Sequence, residues 1–85
     1  MTSKQRAQVG LELIEEAITE LLTLHDGWMS RPDIAKSLGI ESSYESGFGG
    51  FLSGGLCKKL VADGVLEIRG GGGPGQTTYY RITAA

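Results

Sequence analysis

Apolar residues recur along this chain with two different periods. Between about Ala7 and Leu24, Leu11, Ile14, Ile18 and Leu21 keep the three-to-four-residue spacing of one helix face, and the glutamates fall largely elsewhere. This predicts a first helix over 7–24, with residues 1–6 disordered before it. His25 and Gly27 supply its stop, a helix-terminal histidine and a glycine suited to left-handed backbone. Leu13, Ala17, Leu22 and Leu24 make the segment more apolar than one buried stripe requires. Two readings follow: a second contact surface, such as a homodimer seam through this first helix, or a central helix buried on two sides.

A short extended link, Trp28-Met29-Ser30, comes next. Ser30 is a good N-cap, with Pro32 in the first turn and Asp33 three residues on. Ile34, Ala35 and Leu38 give the apolar face of a second helix of about eight residues, which Gly39 ends.

The following stretch, SYESGFGGFLSGGLCKKL, mixes two signals. Phe48, Leu52, Leu56 and Leu60 recur every four positions, yet the stretch holds five glycines. Each would cost a helix interior about 1 kcal/mol relative to alanine. The apolar phase also shifts. Phe48, Phe51 and Leu52 share one side of an ideal helix; Leu56, Cys57, Leu60 and Val61 centre on a side rotated by roughly 130°. Gly54-Gly55 lies at the change, so the expectation is a break or kink there, or a helix that starts late after a glycine-rich loop. The glycines themselves admit three readings: close approach to DNA, packing of Gly50 and Gly54 against the first helix, or an inserted loop that touches nothing.

Gly64 stops the third helix. The period then changes to two. Leu66 and Ile68 alternate within Val65–Arg69, and Thr78, Tyr80 and Ile82 alternate against Tyr79 and Arg81 within Thr77–Thr83. The run between them, residues 70–76 (GGGGPGQ), reads as a flexible loop, so the two strands form a hairpin. The order helix, short strand near Trp28, helix, helix, hairpin is α+β and fills one domain over residues 1–85.

Composition adds few constraints. One cysteine excludes an intramolecular disulfide, and there is no long apolar run or signal-peptide pattern, which points to the cytoplasm. Net charge is −2, mildly against a nucleic-acid partner. The charges are segregated, however. Residues 1–45 carry four basic groups against eight acids, and residues 46–85 carry four against two. Local potential governs binding more than the total.

Apparent catalytic motifs fail on inspection. GGGGPGQT over residues 70–77 mimics a phosphate-binding P-loop, but Gln76 stands where lysine belongs and a strand follows in place of a helix. FLSGG lacks the first glycine of a nucleophile elbow. One histidine and one cysteine cannot build a zinc site within one chain. Cys57 reads as a small core residue and Trp28 as a core or first-strand residue. The glutamates of the first helix read as a solvated face. The expectation is no enzyme and no cofactor.

The segments WMSRPDIAKSLGI, LCKKLVADGVLEIRG and TYYRIT resemble, respectively, the capped second helix, the third-helix exit into the wing, and the closing strand of winged helix-turn-helix domains. The resemblance covers about Leu11 to Thr83. It implies a three-helix domain with a two-stranded wing, whose third helix enters the major groove while the second crosses the phosphate backbone. Carried over by position, Arg31 faces a phosphate, and Ser43, Tyr44, Ser46 and Ser53 face base edges. Arg69, Gln76 and Thr77 flank the wing tip. Lys58, Lys59 and Arg81 complete the candidate phosphate contacts. Two features depart from the pattern. Gly39 and Gly64 enclose 24 residues, more than is usual for the family, and the reading half of the third helix has no Arg or Lys.

The resemblance implies double-stranded DNA as partner, for a small transcription regulator or a DNA-targeting module. The rival reading is a winged helix used for protein–protein contact, supported by the acidic total and the surplus apolar surface of the first helix. The two differ in whether the basic residues gather on one face: if Arg31, Lys58 and Arg69 lie on different sides, the interaction module is favoured.

Overall fold

The computed structural model describes residues 1–40, 51–71 and 75–83, with Phe51 described by its backbone alone. Among these residues the fold is α+β. Three helices, α1 (Ser3–Leu24), α2 (Arg31–Ser37) and α3 (Phe51–Ala62), pack with three strands, β1 (Met29–Ser30), β2 (Leu66–Gly70) and β3 (Thr78–Ile82). The sheet is antiparallel in the order β1-β3-β2.

Helix α1 starts earlier than the apolar spacing predicts, and residues 3–6 are helical where disorder is expected. The reason is a reciprocal cap. The Thr2 hydroxyl accepts from the Gln5 amide at 3.2 Å, and the Thr2 amide donates to Gln5 Oε1 at 2.8 Å. The helix start, with its four orphan amides, is thereby secured without any apolar residue. Ser30 caps α2 as expected, accepting from the Asp33 amide at 3.2 Å.

The stops at Gly39 and Gly64 share one mechanism. Gly39 has φ +71° and Gly64 φ +79°. In each case the glycine amide and the next amide fold back onto the helix's last carbonyls: Gly39 to Lys36 and Ile40 to Ala35, then Gly64 to Val61 and Val65 to Leu60. Any side chain at these φ values would strain the backbone.

Ile18 and Leu22 of α1, Ile34 of α2, Leu56, Cys57 and Leu60 of α3, Leu66 of β2 and Tyr80 of β3 form the buried cluster. Leu22 therefore belongs to the core and not to a second face. Leu11, in phase with the core stripe, is 43% exposed because α1 runs past the end of the core there.

No break occurs at Gly54-Gly55; α3 runs through both residues. The buried stripe of α3 is Ser53, Leu56, Cys57 and Leu60, at i, i+3, i+4 and i+7. Its first member is polar and so is invisible to an apolar pattern, which accounts for the apparent shift of phase. A Cβ on Gly54 would meet only Arg31 Cδ, at 3.6 Å, an ordinary contact with α2 and not with α1. Gly50 and the other early glycines lie outside the described residues. Around Gly55 there is open space. Gly55→Ala is therefore expected to stabilise the domain by about 0.5–1 kcal/mol, read as an upward shift of the urea midpoint.

Candidate nucleic-acid interface

A cleft of about 280 Å³ opens where the start of α2, the middle of α3 and the hairpin meet. Arg31 and Pro32 line it from α2, Gly54 and Lys58 from α3, and Gln76 and Thr77 from the hairpin loop. No carboxylate lines it among the described residues. Each position follows from local structure. Ser30 is the last residue of β1 and the cap of α2, so Arg31 emerges where strand becomes helix. Its guanidinium crosses to α3, with Nη1 3.4 Å from Ser53 Oγ. Lys58 lies one turn beyond Gly54 on the same side of α3. It is exposed and has no hydrogen-bond or ion-pair partner among the described residues. Gly54 leaves the floor without a side chain, so a ligand could approach the helix backbone closely.

Tyr80 borders the same cleft and is 1% exposed. Burial pushes its phenol up to about 12, the neighbouring Cys57 adds to the rise, and Arg31 draws it back. The folded value lies above the unfolded one near 10. Stability from the neutral phenol is thus intact below about pH 10 and is lost as pH climbs toward 12, by about 1.4 kcal/mol per unit. Urea midpoints measured across that range should fall for the natural chain. They should fall less for Tyr80→Phe, which has no proton to lose.

The remaining sequence-predicted residues divide into groups. Ser53 is fully buried and offers no surface to a base edge, which corrects the expectation for it; it occupies the core stripe beneath Arg31. Ser43, Tyr44 and Ser46 lie outside the described residues. Lys59 does not reach the cleft. Its ammonium contacts Asp63 Oδ2 at 3.0 Å and Glu15 Oε1 at 3.2 Å. Hydrogen bonds to Asp63 and then Glu15 hold it above its ordinary value of 10.5. Glu15 in turn is mostly covered, with a side chain 15% exposed, and is not part of a solvated face.

Arg69 and Arg81 also lie elsewhere. Strand register sets Arg69 opposite Tyr79 and Glu67 opposite Arg81. Side chains alternate along a strand, and Tyr80 and Leu66 face the helices, so these four project to the opposite side of the sheet. There the Arg69 and Arg81 guanidinium carbons sit 4.6 and 4.5 Å from the Trp28 ring centroid, and Arg81 Nε donates to Glu67 Oε2 at 2.6 Å. Trp28 is thus half-buried under two guanidinium groups.

Three residues lining the cleft escaped the sequence as site residues: Pro32, Thr78 and Tyr80. Nothing short of the packing of α2 and the hairpin on α3 signals them. Trp28 as the arginines' partner is equally silent until the register of β1 on β3 is known.

No protein-family model matches the chain, and no curated protein or solved structure matches it. No described helix is long and apolar enough to cross a membrane.

Proposed function

We propose that the chain is a winged-helix DNA-binding module, a small transcription regulator or the DNA-targeting part of a larger system. In this reading the cleft holds the phosphate backbone of a duplex. One observation carries it: Arg31, Lys58, Gln76 and Thr77, brought from three separate elements, line one cleft with no carboxylate among its described residues. Arg31 supplies a planar fork for a phosphate, Lys58 an exposed point charge, and the loop residues neutral donors. With about two cations on phosphates, the slope of log affinity against log salt should be shallow, near −2.

A second reading has its own observation. Arg69 and Arg81 lie on the far side of the sheet, engaged with Trp28 and Glu67. With Lys59 paired to Glu15 and Asp63, only Arg31 and Lys58 of the five expected cations line the cleft. The basic residues thus do not gather on one face, which supports a protein-interaction role. Fluorescence anisotropy with a random duplex at low salt separates the two. Saturable, salt-sensitive binding supports DNA as partner. No binding at tens of micromolar, within the non-specific range of about 10⁻⁴ to 10⁻⁶ M, leaves the interaction module as the better reading.

A further inference from the structure

The face of α1 turned away from the core carries a pattern of its own. Arg6, Val9, Leu13, Glu16 and Glu20 are spaced by three and four residues in alternation. At about 100° per residue they fall within an arc of about 80°, on the side opposite Ile18 and Leu22. All five are exposed, Val9 by 38% and Leu13 by 59%. Arg6, Glu16 and Glu20 join no ion pair among the described residues. The first half of α1 is also unsupported from within. Its only buried residues, Ile18 and Leu22, are in the second half. An isolated helix of about eleven residues is marginal in water, and Gly10 weakens it further.

We propose that this face binds the same face of a second copy of the chain, with the two α1 helices antiparallel. The charge order selects the orientation. The cation lies toward the N-terminal end of the stripe and the acids toward the C-terminal end. With the two-fold axis passing level with Leu11, Val9 meets Leu13 of the second copy and Arg6 meets its Glu16. Two-fold symmetry repeats both contacts. Thr2, at the helix's positive end, comes level with Glu20 of the second copy. A parallel pair would instead set Arg6 against Arg6 and Glu16 against Glu16. Each copy contributes only two apolar residues to the seam, so the dimer is weak and depends on concentration and salt.

Sedimentation equilibrium of the full chain over a concentration series tests this, with circular dichroism to establish that each variant is folded. The natural chain should dimerise, more weakly at high salt. Arg6→Glu and Glu16→Arg should each raise the dissociation constant about tenfold or more, because each replaces two attractions by two repulsions. The double variant should return to within about threefold of the natural chain. Leu13→Ser should leave a folded monomer. A chain that stays monomeric throughout, a dimer indifferent to Leu13→Ser, or a double variant no better than the singles each overturns the proposal. In a parallel dimer the double reversal rescues nothing, so rescue also fixes the orientation.

Discussion

Ile18→Ala is expected to cost about 2–5 kcal/mol, read as a large downward shift of the urea midpoint. Ile18 is fully buried at the point where α1 meets the rest of the cluster. A domain of 85 residues has about 4–13 kcal/mol of stability to lose. The removed methyl and methylene groups leave a void lined by residues from several elements, so no single side chain can relax to fill it. The control is Leu24→Ala at the end of the same helix. Leu24 is 79% exposed, and its truncation should stay within about 0.5 kcal/mol. Urea denaturation of the two variants gives both numbers. Equal losses would mean that α1 is not anchored through Ile18.

Much of this architecture is legible from periodicity and punctuation. The change from a helical to an alternating period marks where helices give way to the hairpin. Ser30, Gly39 and Gly64 mark helix ends because capping is local chemistry, complete within a few residues. The errors arise where a polar residue does a structural task. Thr2 and Gln5 start α1 with no apolar signal. Ser53 fills a core position because the Arg31 guanidinium reaches it from another element. Glu15 looks like surface until Lys59 is seen across it, 44 residues away in sequence. The same limit governs the site. Lys58 and Lys59 are indistinguishable as neighbours in a sequence. A rotation of about 100° sends one to the cleft and the other to α1. Arg69 and Arg81 follow the strand alternation already readable in Tyr79 and Tyr80, but only the register puts Trp28 beneath them.

That division makes a charge-reversal experiment decisive for the DNA reading. Arg31→Glu with Lys58→Glu should weaken binding to a random duplex on the order of 100-fold at moderate salt, and should flatten the salt slope by about one for each phosphate no longer neutralised. Two of the few available cations disappear, and two carboxylates then face the phosphates across a cleft that holds no carboxylate among its described residues now. Lys58→Glu alone is the cleaner variant for folding, since Lys58 is exposed and Arg31 also contacts Ser53. Arg69→Glu is the comparison. It sits on the far face of the sheet, stacked on Trp28, and should leave duplex affinity within about twofold while lowering stability modestly, because the stack on the indole is gone. The opposite outcome, with Arg69 essential and Lys58 dispensable, would move the nucleic-acid surface to the outer face of the sheet. Indifference to all three substitutions would leave the basic groups without a duplex to hold, and the protein-interaction reading would then be the one to pursue.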